Sequence, residues 1–362
     1  MVELAAGSDG QLQGARPPEQ LHFTGKGSEY FGIWIVNLLL TILTFGIYSA
    51  WAKVRRLQYF YRNTQLAGSS FDFHGTPVRI LVGRVIAVIL FIGYNIAVRL
   101  HSWETIVVLV ALALVMPWLL RNSFRFRLYN SSWRGTRFHF RGTVGDAYRV
   151  FLLNGILTLI TLYILLPFAQ QRLKAYQHNN TWFGRTQCSF HARTGQFYFV
   201  YLLILAAGIV AAIVIATSGI VGAFAAISAA QRHGVRLDPH ALFRALFIVY
   251  GTLILLSVSV GPAFHALVTN LIWNNTRVGE HRIECNLSPY KLAWITVSNF
   301  VMVIVTLGMF IPWAQVRLAR YQLESTRLLP ATDLQEFVDA EPESAGAVGE
   351  EAATVFDFDI AL

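Results

Sequence analysis

Charged residues are scarce in this sequence: Asp, Glu, Lys and Arg make up 14% of its 362 residues. A soluble globular protein carries about 25% charged residues. The chain is 55% hydrophobic, and its mean hydropathy is +0.48. The shortage of charge therefore argues against a soluble globular fold and predicts a protein that lies in a lipid bilayer.

Cysteines and catalytic motifs are lacking as well. The two cysteines, Cys188 and Cys285, form no CxxC pair, which argues against a disulfide framework and a zinc site. The sequence contains no HExxH, GxSxG or phosphate-loop motif in a suitable context. We therefore expect no enzymatic activity, no catalytic residue, no cofactor and no metal site.

The two ends of the chain are poor in apolar residues. Residues 1–20 contain no apolar core of a signal peptide, so the first spanning helix is expected to direct insertion. Residues 331–362 form an acidic tail, with nine acidic residues and no Lys or Arg from Asp333 onwards. Neither segment can bury a core, so we predict that both are disordered and that residues 21–330 form one transmembrane domain.

The body of the chain is strongly basic. The whole chain carries a net charge of +9, so the residues before the acidic tail carry +18. The arginines flank apolar stretches, as expected for anchors to anionic lipid headgroups rather than for a nucleic-acid surface. We therefore expect membrane lipids as partners and no nucleic acid. The sequence leaves the oligomeric state open.

Apolar stretches of about 20 residues recur along the chain, which is the length that a helix needs to cross a bilayer. They predict an all-α polytopic membrane protein with about seven transmembrane helices, joined by short β-like hairpins. The stretch from Phe197 to Ala230 is too long for one span and short for two. The predicted spans are Phe31–Ala50, Ile80–Val98, Thr105–Leu120, Tyr148–Pro167, Phe197–Thr217, Leu242–Pro262 and Leu292–Ile311.

The strongest pattern is an internal repeat. Eight positions keep the same spacing in three copies, and two weaker copies retain part of the pattern. The predicted repeat units cover about 23–76, 103–143, 144–195, 242–286 and 287–328. The three strong copies contain Asn37, Thr44, Ala50, Trp51, Arg55, Tyr59, Asn63, Thr64; Asn154, Thr161, Pro167, Phe168, Arg172, Tyr176, Asn180, Thr181; and Asn299, Thr306, Pro312, Trp313, Arg317, Tyr321, Ser325, Thr326.

Alternating aromatic residues follow the first two units. Gly68-Ser-Ser-Phe-Asp-Phe-His-Gly75 and Gly135-Thr-Arg-Phe-His-Phe-Arg-Gly142 each predict a short strand or hairpin that leads to the next helix. Phe23-Thr-Gly25 resembles the end of another such element.

These residues resemble the YjgN-like family of bacterial inner-membrane proteins, which are grouped as a domain of unknown function. The resemblance covers about residues 21–328. It rests on Phe23–Gly25, Asn37–Tyr48, Trp51–Arg55 and Asn63–Thr64. The family pattern has Pro before the Trp, whereas this chain has Ala50. The resemblance implies a location in the bacterial inner membrane and brings no established activity.

A polar face recurs within the predicted spans. Its residues are Asn37, Thr41, Thr44, Asn154, Thr158, Thr161, Asn299 and Thr306. Spacings of four and seven residues place them on one side of a helix. Interhelical hydrogen bonds between packed helices would explain them. A polar lining for a solute or ion path is the alternative, and back-bonding of Thr to its own helix is a third interpretation.

A ridge of aromatic and basic residues follows each strong copy of this face. Its residues are Trp51, Arg55, Tyr59, Arg172, Tyr176, Trp313, Arg317 and Tyr321. They predict an anchor at the lipid headgroups. The alternative is an anion or headgroup site, because a guanidinium group binds phosphate through two parallel hydrogen bonds.

The order of the spans also predicts a topology. Three spans between successive strong copies would place neighbouring copies on opposite membrane faces, as in the inverted repeats of transporters. We expect the N-terminus outside and the C-terminus inside. The best functional prediction is a transporter or channel-like protein for a small solute, ion or lipid. The alternative is a membrane scaffold that binds a partner and transports nothing.

Overall fold

The computed structural model describes residues 17–100, 103–233 and 260–332, together with Phe243 and Tyr250. Tyr148–Leu153 forms a π-helical stretch between two short helices. The helices of the described part are α1 (Gly27–Leu43), α2 (Ser49–Arg62), α3 (Pro77–Leu100), α4 (Trp103–Tyr129), α5 (Val144–Ala147), α6 (Asn154–Ile160), α7 (Leu166–Asn179), α8 (Thr194–His233), α9 (260–274), α10 (Pro289–Val305) and α11 (Ile311–Glu324).

All strands of the described residues belong to one antiparallel sheet in the order β1-β11-β10-β9-β8-β7-β6-β5-β4-β3-β2. The strands are β1 (Glu19–Gln20), β2 (His22–Phe23), β3 (Thr64–Leu66), β4 (Ser69–Phe73), β5 (Ser131–Trp133), β6 (Thr136–Phe140), β7 (Thr181–Phe183), β8 (Thr186–Phe190), β9 (Thr276–Val278), β10 (His281–Cys285) and β11 (Thr326–Leu329).

The sheet closes on itself through the N-terminal segment. Glu19 of β1 lies opposite Leu328 of β11, while His22 of β2 lies opposite Gln65 of β3. Only Leu21 separates β1 from β2, and its N–H donates to the carbonyl of Thr326 at 3.1 Å. The two ends of the strand order are therefore one extended segment, and the described strands form a closed ring.

The helices leave this ring and come back to it in pairs. The outgoing helices, which follow the second strand of a hairpin, are α1, α3, α5–α6, α8 and α10. The returning helices, which lead directly into the next first strand, are α2, α4, α7, α9 and α11. Outgoing helices pack between returning helices, as α1 does between α11 and α2, and α3 between α2 and α4.

The junctions between returning helices and strands share one hydrogen-bond pattern. The side chain of an Asn or Ser donates to the carbonyl four residues earlier at 2.6–2.8 Å, which ends the helix. The backbone carbonyl of the same residue accepts an N–H from the preceding hairpin at 2.8–2.9 Å. The residues at these junctions are Asn63, Asn130, Asn180, Asn275 and Ser325.

The predicted seven-helix all-α bundle is wrong. The predicted connections form the closed sheet described above. Within the described residues, only Pro77–Ile96 and Thr105–Tyr129 are helices long and apolar enough to cross a membrane. The predicted spans Phe31–Ala50, Tyr148–Pro167 and Leu292–Ile311 are each broken by a turn, because one apolar run in the sequence covers an outgoing helix, a turn and the start of a returning helix.

Tight turns interrupt those three runs. Each contains backbone with positive φ, at Phe45 and Gly46, at Leu162 and Tyr163, and at Leu307 and Gly308. Phe45 is 99% exposed and Leu307 94% exposed. The turns therefore present apolar side chains at the end of the helix pair that lies away from the sheet.

The predicted topology is wrong as well. Residues near both ends of the described chain pair with each other in the sheet, since Gln20 lies opposite Arg327. The two ends therefore lie on the same face of the protein, and inverted repeats do not fit this arrangement.

The predicted span Leu242–Pro262 and the tail 333–362 lie largely outside the described residues. Of the predicted disordered N-terminal segment, Glu19–Gln20 is a strand.

Candidate functional site

The three predicted asparagines do not line a common cavity. Asn37, Asn154 and Asn299 are each 7% exposed, and they lie on α1, α6 and α10. These outgoing helices pack mainly against returning helices rather than against one another. The structure therefore places each asparagine inside its own helix pair.

The asparagines of the first and third copies have different surroundings. Asn299 Nδ2 donates to the carbonyl of Ala314 at 3.2 Å, and its Oδ1 accepts from Arg317 at 3.2 Å. Arg317 also donates to Ser298 Oγ at 2.8 Å. Asn37 Oδ1, by contrast, is buried without a hydrogen-bond partner among the described residues.

The predicted threonines bond locally. Thr44 Oγ1 donates to the carbonyl of Leu40 at 2.8 Å and accepts from the N–H of Tyr48 at 2.9 Å. Thr161 and Thr306 make the corresponding pairs of bonds. Thr41 and Thr158 donate to the carbonyls of Asn37 and Asn154. The bonds of Thr44, Thr161 and Thr306 end the outgoing helices and hold the turns, whereas those of Thr41 and Thr158 lie within the helices.

The tyrosines of the predicted ridge tie the two helices of a pair together near the sheet. Tyr59 Oη donates to the carbonyl of Lys26 and accepts from its N–H, both at 2.8 Å. Tyr176 Oη donates to the carbonyl of Thr143 at 3.0 Å. Tyr321 Oη accepts from the N–H of Ser288 at 2.8 Å. In each pair the phenol bonds the residue just before the outgoing helix.

The other ridge residues lie on aromatic neighbours. The Arg55 guanidinium is 5.8 Å from the Tyr48 ring, and that of Arg172 is 5.2 Å from the Phe168 ring. The Trp51 ring lies 6.1 Å from the Tyr48 ring, and the Trp313 ring lies 5.0 Å from that of Phe31. The three arginines are exposed and belong to three different helix pairs.

The returning helices concentrate positive charge. Within the segments Ser49–Arg62, 117–129, Leu166–Asn179, 260–274 and Ile311–Glu324, the one acidic residue is Glu324, at the last position of α11. The basic residues are Lys53, Arg55, Arg56 and Arg62 on α2; Arg121, Arg125 and Arg127 on α4; Arg172 and Lys174 on α7; and Arg317 and Arg320 on α11.

Side chains of four returning helices lie within electrostatic or hydrogen-bonding range of one another in what we call the central basic cluster: Arg127 of α4, Lys174 and His178 of α7, His265 of α9 and Gln322 of α11. Burial, and secondarily the charge of Arg127, lowers the pKa of Lys174 to about 8. Burial and Lys174 lower the pKa of His178 to about 3, and they lower the pKa of His265. His265 Nε2 lies 3.1 Å from Gln322 Nε2.

One face of α7 forms the centre of this cluster. Gln170, Lys174, Gln177 and His178 are spaced by four, three and one residues, which places them on one side of the helix. Gln170 Oε1 and Gln177 Nε2 are buried without a hydrogen-bond partner among the described residues. Buried polar atoms in native proteins are almost always hydrogen-bonded. This face therefore has unused capacity to bind a polar group.

Below the cluster, the ring of strands is filled by apolar side chains. Leu66, Trp133 and Phe183 pack as one buried cluster although they lie on β3, β5 and β7. The rings of Trp133 and Phe183 are 5.8 Å apart. Side chains from strands around the ring can meet only in its interior. We call this set the apolar plug: Leu21, Leu66, Phe71, Trp133, Phe138, Phe183, Val278 and Leu328.

The sequence contains signals for the polar face of α7 and for the apolar plug. The spacing of Gln170, Lys174, Gln177 and His178 is that of a helix face, yet α7 has no strong apolar stripe opposite it. In the apolar plug, Leu66, Trp133, Phe183, Val278 and Leu328 each follow a junction residue by three positions. Their convergence could not be predicted, because it depends on closure of the sheet.

Together these features define a class: a helical membrane protein whose helix pairs return to one closed ring of strands around an apolar plug. The chain belongs to the family described as bacterial protein of unknown function (DUF898), which matches residues 18–355.

Curated relatives are similar to part of the chain. An inner membrane protein YjgN of Salmonella typhimurium is 29% identical over 147 residues, which is 40% of this chain and 37% of the relative. An inner membrane protein YjgN of Escherichia coli K12 is 31% identical over 125 residues, which is 34% of this chain and 31% of the relative. The chain therefore spans about a third of the length of these relatives. No solved structure matches the chain. The family and the relatives support a location in the inner membrane.

Proposed function

We propose that the chain is a multi-pass inner-membrane protein, built from five repeated units, that conducts or transports a small anion. The central basic cluster is its binding site, and the apolar plug is its closed gate. Each unit consists of an outgoing helix, a returning helix and a hairpin, and the last hairpin is completed by the N-terminal segment. The outward-facing apolar side chains of α1, α3, α6, α8 and α10 face lipid.

The observation that carries this proposal is that Lys174 has no acidic partner in the described part of the chain, although burial lowers its pKa. Among the described residues, no acidic side chain forms an ion pair with it, and the charge that acts on it is that of another cation, Arg127. Removing a charge from water is costly unless an opposite charge compensates it. A bound anion supplies that charge and accepts hydrogen bonds from Lys174 and from Gln177 Nε2.

The apolar plug fits the role of a gate. A constriction lined by apolar side chains excludes water and ions until it widens. Lys174 lies nine residues before Phe183 in the chain, so the cluster and the plug are successive along α7 and β7. An anion held at the cluster would therefore meet the plug next on its way through the ring.

Charge asymmetry supports an orientation with the sheet in the cytoplasm. The hairpin turns and adjacent strands contain Arg134, Arg137, Arg185, Arg277 and Arg282. The three described turns at the opposite end, 44–48, 161–165 and 306–310, contain no Lys or Arg. Short basic segments next to spans stay on the cytoplasmic side.

Iodide influx into proteoliposomes, followed by quenching of an enclosed dye, tests this function. Trp133→Ala combined with Phe183→Ala removes two plug side chains and should raise influx by at least about tenfold, since dewetting depends on the width of the constriction. Trp182→Ala is the matched control, because Trp182 directly precedes Phe183 on β7, so its side chain points to the other face of the sheet, and it lies opposite His139.

Adding Lys174→Gln to the open variant should lower influx again. If the open variant passes iodide no faster than the Trp182→Ala control, the conduction proposal is wrong. The closed packing of the plug would then favour the second candidate, a membrane scaffold whose interior serves only stability.

A further inference from the structure

A polar cleft lies on the outer face of the sheet, apart from the central basic cluster and the plug. It has a volume of about 600 Å³ and opens beside the turns of the hairpins β3–β4 and β5–β6. Residues facing it alternate along the strands with Phe71, Trp133 and Phe138 of the apolar plug, so they point away from the ring interior. The lining includes Ser70, Asp72, His74, Ser132, Arg134 and Arg137.

The floor of the cleft is built from residues in register. Asp72 of β4 lies opposite Ser132 of β5, and Ser132 lies opposite Arg137 of β6. Ser132 is only 4% exposed, and its Oγ lies 2.8 Å from His74 Nε2. A hydroxyl, an imidazole and a guanidinium therefore converge on one small area.

Two arginines are held in position at the cleft. Arg134 donates from Nε to Ser69 Oγ at 3.0 Å and from Nη2 to the carbonyl of Ala67 at 2.9 Å, and it lies 4.6 Å from the Trp133 ring. The Arg137 guanidinium lies 4.8 Å from the Tyr129 ring. A guanidinium has five N–H donors, so these contacts leave donors for a ligand.

The acidic residue of the cleft has its own cation. Asp72 Oδ1 accepts from Arg62 Nε at 2.9 Å and from the N–H of Phe73 at 2.7 Å. Burial opposes ionisation of this carboxyl, but these hydrogen bonds outweigh burial and lower its pKa. With Asp72 paired to Arg62, the charges of Arg134 and Arg137 leave the cleft with a positive balance.

We propose that this cleft binds a small phosphate-bearing molecule from the sheet side of the membrane. Guanidinium groups match phosphate through parallel hydrogen bonds, and serine hydroxyls and backbone N–H groups add donors. The volume lies within the usual range of ligand pockets, about 300–1,000 Å³. Gly68 and Gly135 at the turns have φ of +72° and +81°, and no atom lies within 4 Å of where a Cβ would stand on either, so a ligand has room beside the backbone.

Calorimetry of the full chain in detergent, with inorganic pyrophosphate and inorganic phosphate as probes, tests this site. We expect the wild type to bind pyrophosphate, and Arg137→Gln to weaken binding by about tenfold or more, because a charge-assisted bond is lost. Arg185→Gln is the matched control, since Arg185 is an exposed arginine at the turn of the next hairpin. It should bind pyrophosphate as the wild type does.

Ser70→Glu provides a second variant at an exposed position, where folding should not be disturbed. Its carboxylate should repel the probe and abolish binding. Failure of the wild type to bind pyrophosphate, or equal binding by Arg137→Gln and Arg185→Gln, would overturn the proposal. Iodide conduction does not enter this experiment, so its outcome is separate from that of the conduction test.

Discussion

The Arg317 guanidinium donates a hydrogen bond to Asn299 Oδ1 across the α10–α11 pair at 3.2 Å. Asn37 occupies the same repeat position in the α1–α2 pair, yet its Oδ1 has no hydrogen-bond partner in the part of the chain that the structure describes. The same residue type at the same register is therefore satisfied in one copy and unsatisfied in another.

This difference predicts unequal effects of the same substitution. Asn299→Leu should lower the free energy of unfolding by about 1–3 kcal/mol, because it removes two hydrogen bonds, the one to the Ala314 carbonyl and the one from Arg317. Asn37→Leu is the matched control and should cost less, since it removes an oxygen that is already unsatisfied. Thermal unfolding in detergent measures both. A larger loss for Asn37→Leu would mean that Asn37 has a partner that matters more.

Loss of one phenol hydroxyl should loosen a helix pair. Tyr176→Phe removes the bond to the Thr143 carbonyl and should lower the free energy of unfolding by about 0.5–1.5 kcal/mol. Tyr163→Phe, at a position that is 60% exposed, should leave stability unchanged. Equal melting temperatures of the two variants would contradict a clamping role for Tyr176.

Titration of Lys174 should make stability depend on pH. Its pKa is about 8 in the folded chain and 10.5 without burial. Between these values the unfolded chain binds more protons, so stability should rise with pH from about 8 towards 10.5. His178 and His265 of the cluster, whose pKa values are lowered, do not titrate in this window.

Lys174→Met is the comparison for that titration. The stability of this variant should rise less with pH, because the contribution of Lys174 is missing. The contributions of the buried cysteines and tyrosines remain the same in both proteins. Melting temperatures between pH 7.5 and 9.5 give the difference between the two curves. Parallel curves would show that Lys174 is accessible to water or already neutralised.

Cysteine labelling should separate the two ends of the helix pairs. Arg185→Cys, at a hairpin turn, should react with a membrane-impermeant maleimide in inverted vesicles and not in intact cells. Phe45→Cys, at a fully exposed apolar turn, should react in neither if that turn lies in lipid. The native Cys188 should add little background, because burial raises its pKa to about 12. Labelling of Arg185→Cys from outside intact cells would reverse the proposed orientation.

Much of the local structure could be predicted from the sequence. The alternation Phe71, Asp72, Phe73 between glycines predicted the strand β4, and the recurring junction residues marked where helices end, since an Asn or Ser side chain bonds its own helix four residues back. Such contacts join residues close in the chain, so their spacing is visible in the sequence.

The tertiary structure alone decided the closure of the sheet and everything that depends on it. Glu19 pairs with Leu328, and Trp133 meets Phe183, through a strand order that no local spacing specifies. Closure places Glu19 and Leu328 on one face, turns isolated hairpins into a ring and brings apolar side chains of separate strands into one plug. It also brings Arg127, Lys174 and His265 of three helices within electrostatic range of one another, because each helix must return to its own place in the ring.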